Sequence, residues 1–188
     1  GDVNGDGFDD VIIGARSADP GGNNAAGESY VVFGKASGFG SSLDLSAGDA
    51  NGDGTLDGSN GFRLDGIDED DRSGWSVSNA GDVNGDGFND LIIGAWGGDP
   101  GGDSEAGESY VVFGKASSFS SSVDLSTLDG TNGFRLDGID AGDRSGWSVS
   151  SAGDVNGDGF DDLIIGAYGA DPSGTNGAGE SYVVFGKA

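Results

Sequence analysis

The chain has 188 residues, 41 of them glycine, with 33 acidic residues against 8 basic ones, a formal net charge of −25, and no cysteine, methionine or histidine. That balance excludes nucleic-acid phosphates and anionic membrane surfaces, which call for clustered Lys and Arg, and suits cations or salt-rich water, where self-repulsion is screened. The lack of cysteine removes disulfides, zinc-thiolate sites and thiol catalysis together, and no apolar run approaches the ~20 residues that span a bilayer.

Self-similarity organises the chain. The string GDVNGDGF begins at Gly1, Gly81 and Gly153, giving a first repeat at 1–80, a second at 81–152 and a third, partial one at 153–188. No signal peptide precedes the first motif, and residue 1 is not expected to be a natural start. Each copy runs through IIGA, a DP turn and AGESYVVFGKA into a Ser-rich linker, and the first repeat carries eight extra residues, 47–54, in that linker. In chain order, residues 74–81 (GWSVSNAG) are predicted as a first strand with Trp75 and Val77 on one face. Residues 90–95 (DLIIGA) are a second, apolar enough to be buried on both sides. Residues 108–114 (ESYVVFG) and 133–138 (GFRLDG) complete the set, and no stretch carries a helical period with caps.

Four short strands per unit, repeated and punctuated by Gly, Asp and Ser, predict an all-β chain of four-stranded antiparallel β-propeller blades. A parallel β-helix is the alternative, but its rungs are much shorter than a repeat of 72 residues. The repeats supply three, four and three predicted strands, or about two and a half blades, against about four to eight in closed propellers. A partial propeller, part of a longer chain or one that assembles from several copies, is therefore expected.

The stretch SGWSVS–AGDVNGDGFNDLIIGAW resembles the FG-GAP repeat of integrin α-subunit head propellers and their bacterial relatives. The Phe-Gly position reads Ser73-Gly74 or Ser145-Gly146, and the GAP triplet reads GAR, GAW or GAY from Gly14, Gly94 and Gly166. The resemblance covers essentially the whole chain and implies a propeller whose inter-strand loops hold calcium.

The loops carry that chemistry in their own spacing. In DVNGDGFDD, Asp2, Asn4 and Asp6 stand at positions 1, 3 and 5, Gly7 at position 6, the carbonyl of Phe8 at position 7 and Asp10 at position 9. Alternate side chains converge on one centre, Gly allows the sharp turn, and hard oxygen donors suit Ca²⁺. The counterparts are Asp82, Asn84, Asp86, Phe88 and Asp90, and Asp154, Asn156, Asp158, Phe160 and Asp162. An EF-hand is excluded, because its twelfth position would need Glu and reads Ile13, Ile93 or Ile165. A metal-free Asp/Asn/Gly turn is the plainer alternative, set against the repulsion of carboxylates crowded together without a cation. Position 8 varies (Asp9, Asn89, Asp161), as expected of a side chain pointing away.

A fourth loop of the same spacing, Asp49, Asn51, Asp53, the carbonyl of Thr55 and Asp57, arises where the insertion meets a carboxylate whose counterpart is Asp129. It is a further candidate Ca²⁺ site, against a solvated Gly/Asp loop. Asp71-Arg72 and Asp143-Arg144 read as local ion pairs or turns, residues 67–71 (IDEDD) as a solvated acidic turn, and Trp75 and Trp147 as core. Arg16, Trp96 and Tyr168 differ between units that are otherwise alike, which marks a binding face or a variable loop.

Catalysis finds little footing: there is no His or Cys, no Gly-x-Ser-x-Gly elbow and no phosphate-binding loop. Residues and resemblance together imply a non-enzymatic calcium-binding module of a secreted, extracellular or cell-surface protein, with a structural or adhesive role. Its expected partners are calcium ions and a protein or glycan ligand, with self-association through open blade edges. The alternatives are a calcium-stabilised subunit of an extracellular filament or sheet and a carbohydrate-processing enzyme. The enzyme would need a carboxylate pair not already committed to the loops.

Overall fold

The computed structural model describes residues 1–46 and 55–188, in which eleven strands form three sheets. The first sheet holds β1 (Val11–Ala15), β2 (Glu28–Val32) and β3 (Gly61–Asp65). The second holds β4 (Ser76–Gly81), β5 (Asp90–Ala95), β6 (Glu108–Val112) and β8 (Gly133–Asp137). The third holds β9 (Ser145–Gly153), β10 (Asp162–Ala167) and β11 (Glu180–Val184). Within each blade, sequential strands pair antiparallel: Leu91 faces Val112, Ile93 faces Tyr110, and Val77 faces Ile93. The chain is all-β, built from propeller blades.

Each strand ends for a local reason. β6 stops at Val112 because the Phe113 amide turns to the Asn132 carbonyl at 3.0 Å and the Gly114 amide to Asp90 at 2.9 Å. The DP turns close as short 3-10 turns at Pro20–Gly22, Pro100–Gly102 and Pro172–Gly174. In each, the preceding Asp (Asp19, Asp99 or Asp171) accepts an amide six residues on, from Ala25, Glu105 or Gly177, at 2.6–2.7 Å.

The eleventh strand, β7 (Ser122–Asp124), lies in the Ser-rich linker, where no strand was predicted. It leaves the second blade and pairs parallel with β3 of the first, Leu64 facing Val123. Phe119, just upstream, stacks on Phe62 with centroids 4.2 Å apart and planes 3° from parallel, and also meets Phe33. Leu125, just downstream, is buried. The linker is thus a strap that ties the second blade to the outer edge of the first.

The core sits between the blades. One cluster, including Val31, Phe62, Leu64, Leu91, Ile93 and Tyr110, joins the first two sheets. A second, including Ile92, Val111, Val149, Leu163 and Ile165, joins the last two. β5 therefore sends alternate side chains into different cores, and all six of its residues are buried, as its apolar run implied. The same run is open at the two ends of the array, where Val11 and Ile13 of β1 and Ile164 of β10 are exposed.

Candidate metal centre

Three loops, each leading into the strand of the IIGA run, have the same geometry. Asp2 accepts the Gly5 and Asp6 amides on one oxygen (2.7 and 3.1 Å) and the Gly7 amide on the other (2.9 Å). Asp82 and Asp154 repeat this on Gly85, Asp86 and Gly87, and on Gly157, Asp158 and Gly159. Asn4, Asn84 and Asn156 accept the Asp6, Asp86 and Asp158 amides, and those aspartates accept the amides of Phe8, Phe88 and Phe160. Gly7 turns with φ +87°, a left-handed conformation that an L side chain rarely adopts, which fixes the loop's sixth position. The amides around Asp154 hold its carboxyl below the usual carboxylate range, Gly159 first.

The ninth-position carboxylates lie deeper. Asp10 bridges the Val3 and Gly34 amides at 2.9 and 2.8 Å, and Asp90 and Asp162 bridge Val83 with Gly114 and Val155 with Gly186. Asp90 and Asp162 are fully buried. Burial pushes the Asp90 carboxyl up to about 7, two backbone hydrogen bonds pull against that shift, and the nearby Asp86 and Asp82 add to it. Asp10 is raised for the same reasons, burial first, with Asp6 and Asp2 contributing. The loop thus gathers positions 1, 5 and 9 within electrostatic reach of one another.

The donor set fits a hard cation: it is oxygen only, and the carboxylates repel one another with no basic side chain bonded to them in any of the three loops. Among the described residues, no three carboxylates stand close enough together to hold a metal ion as they are. Each is turned onto loop amides, which leave lone pairs free on its oxygens.

Position 8 points away in the first loop, where the Asp9 side chain is 91% exposed, but not in the other two, contrary to the sequence expectation. Asn89 accepts the Asp2 amide at 3.0 Å, and Asp161 accepts the Asp82 amide at 2.8 Å, each reaching from one loop to the loop before it. Asn and Asp both present the required oxygen, which explains why either serves. The phenylalanine at position 7 reaches the same way. The Phe88 ring lies where a side chain on Gly5 would sit, its nearest atom 2.4 Å from that Cβ position, and Phe160 covers Gly85 likewise. The loops therefore form a chain, each clamped by the next.

Of the fourth candidate, Asp49, Asn51 and Asp53 lie outside the described residues. Asp57 accepts the Ser59 amide and hydroxyl at 2.8 and 2.6 Å, and Thr55 offers its carbonyl to Asn60 at 2.8 Å. Asp129 and Thr127 make the corresponding bonds to Thr131 and Asn132 in the repeat without the insertion. Asp57 is held below the usual carboxylate range by those Ser59 bonds.

The remaining sequence candidates separate. Arg144 pairs with Glu105 at 2.5 Å rather than with Asp143, and Arg72 lies over Trp96 at 4.9 Å rather than against Asp71. Asp71, expected in a solvated turn, is buried. Trp75, Trp96, Trp147 and Tyr168 form a ladder across the blades, with centroids 4.4–5.5 Å apart, so Trp75 and Trp147 pack against the variable positions. Arg16 caps it at 4.1 Å from Trp75.

Known proteins place this arrangement. The family model of the FG-GAP repeat matches residues 1–32, 73–112 and 145–184, each span holding one of the three loops and its strands. The chain is 29% identical over 178 residues to integrin alpha-V of Gallus gallus and 31% identical over 178 residues to integrin alpha-5 of Xenopus laevis. Each alignment takes in 90% of this chain and 14% of the relative, so the chain spans about a seventh of their length. With more than half of its residues inside matched repeats, the chain belongs to the FG-GAP repeat family.

Proposed function

We propose that this is a non-enzymatic, calcium-binding propeller module of an extracellular or cell-surface protein, structural or adhesive in role. The observation that carries the proposal is the threefold loop, an all-oxygen donor set closing on a ninth-position carboxylate that bridges two backbone amides, buried at Asp90 and Asp162 and flanked by two acidic neighbours at Asp10 and Asp90. Asp2, Asn4, Asp6, the Phe8 carbonyl and Asp10 would hold one ion, with the corresponding residues of the other two repeats holding theirs. The ion supplies positive charge where the carboxylates crowd, and so joins the strand before each loop to the strand after it. The relatives are named as integrin alpha chains, and a protein ligand at the cell surface is the partner this suggests. No helix among the described residues is long and apolar enough to cross a membrane.

The fourth loop is proposed as the weakest of four sites, because Asp57 must give up Ser59 to turn toward a metal. Equilibrium dialysis against radioactive calcium tests this directly. Four ions per chain are expected, the last filling at the highest concentration and lost in Asp49→Ala. Three ions in the unsubstituted chain would return the insertion to a plain loop, and none would end the proposal.

A further inference from the structure

We propose that the three loops fill with calcium cooperatively, and that Asn89 and Asp161, at position 8, are the positioning residues that couple each loop to the one before it. The inference rests on the reading of these loops as calcium sites and goes beyond it, because isolated loops of the same sequence would fill independently.

Each junction grips a ligand residue of the preceding loop at both of its backbone groups. Asp161 accepts the Asp82 amide at 2.8 Å and donates its own amide to the Asp82 carbonyl at 3.0 Å. Asn89 holds Asp2 in the same way, at 3.0 Å in both directions. A second link joins the ninth positions. Asp162 accepts the Gly186 amide, Lys187 donates to the Val83 carbonyl, and the Val83 amide is held by Asp90, each at 2.9 Å. The same route runs from Asp90 through Gly114, Lys115 and Val3 to Asp10. The rings of Phe160 and Phe88 close the two junctions over Gly85 and Gly5.

Position 8 stands between two ligands of its own loop, the position-7 carbonyl and the position-9 carboxylate. When Phe160 and Asp162 are fixed on an ion, the backbone from which Asp161 reaches Asp82 is fixed with them. The second loop then has less freedom left to lose as Asp82, Asp86 and Asp90 converge, which is positive coupling, and the coupling is reciprocal. Charge acts in the opposite direction, because a filled loop repels the ion entering its neighbour, less so in salt. Positive coupling therefore has its source in the junction and not in the field of the ions.

The test is a calcium titration of the intact 188-residue chain in about 0.15 M salt, where charges are screened beyond about 8 Å. The Gly7, Gly87 and Gly159 amide resonances, each from an amide bonded to the position-1 aspartate of its own loop, report the three fillings separately. The curves should be steeper than independent sites allow. Asp158→Ala removes the position-5 ligand of the third loop and should weaken the second, read at Gly87, by about fivefold or more. Charge alone predicts the opposite sign, since a loop lacking both Asp158 and its ion is less positive than a filled one. In an Asp161→Ala background the second loop should no longer respond to Asp158→Ala. Asp161→Asn, uncharged like alanine but keeping the acceptor as Asn89 does, should restore the response. Asn89→Ala with Asp86→Ala, read at Gly7, repeats the test at the first junction should Asp161→Ala fail to fold. A second loop unchanged or tightened by Asp158→Ala, or a response that survives Asp161→Ala, would overturn the coupling and leave the calcium sites standing. No shift at any of the three glycines in millimolar calcium would overturn the calcium reading and the coupling with it.

Discussion

Asp71 is buried with Glu108, Asp68 and Asp99 near it, and its carboxylate accepts the Asp68 amide at 3.1 Å. Burial first, then those neighbours, push its carboxyl up to about 7. The folded chain therefore holds this proton more tightly than the unfolded one. The stabilisation is complete below the unfolded carboxylate value of about 3.9 and is lost as pH rises through about 7. Asp71→Asn keeps an acceptor for the Asp68 amide and removes the charge. In urea unfolding at fixed calcium, the variant should exceed the parent by on the order of 1–2 kcal/mol at pH 8, the gap narrowing as pH falls below about 7 and closing only below about 4. A gap independent of pH would assign Asp71 no titrating role. At the same scale, Phe88→Ala uncovers Gly5 and removes the ring's part of the clamp between the first two loops, leaving the Asn89 bond to Asp2. It should cost about 2–3 kcal/mol of stability, whereas Phe8→Ala, at an exposed ring, should cost little. Equal losses would contradict the clamping of each loop by its successor.

At the scale of elements, β7 shows how far the sequence could be read. The strands at IIGA, ESYVV and GFRLD were legible because alternation and turn residues mark both their ends. β4 begins at Ser76 rather than Gly74. β7 was illegible for a physical reason. Three residues of Ser-Val-Asp carry no period, and the strand exists because β3 of another blade offers its edge and Phe119 finds Phe62. The loops were legible from spacing alone, but the roles of positions 7 and 8 were not, since their partners lie about 80 residues away. The strap gives its own test: Phe119→Ala should cost about 3 kcal/mol and speed hydrogen exchange in β3 more than in β6. Uniform acceleration across the blades would mean that the strap does not act locally.

Across the whole molecule, the net charge of −25 opposes compaction, and two inter-blade cores hold the sheets against it. Any salt screens that repulsion, whereas the loops should respond to calcium specifically. Binding to the native loops and not to the unfolded chain stabilises according to ligand excess, and affinities of about 10⁻⁴–10⁻³ M are usual for extracellular calcium modules. The decisive measurement is the melting temperature across a calcium titration, set beside sodium chloride of matched ionic strength and followed by chelator. The expected result is a rise that saturates at millimolar calcium, exceeds the sodium control, is reversed by the chelator and is reduced in Asp82→Ala. A melting temperature that moves with ionic strength alone, unchanged by chelator, would contradict the assignment of these loops as calcium sites.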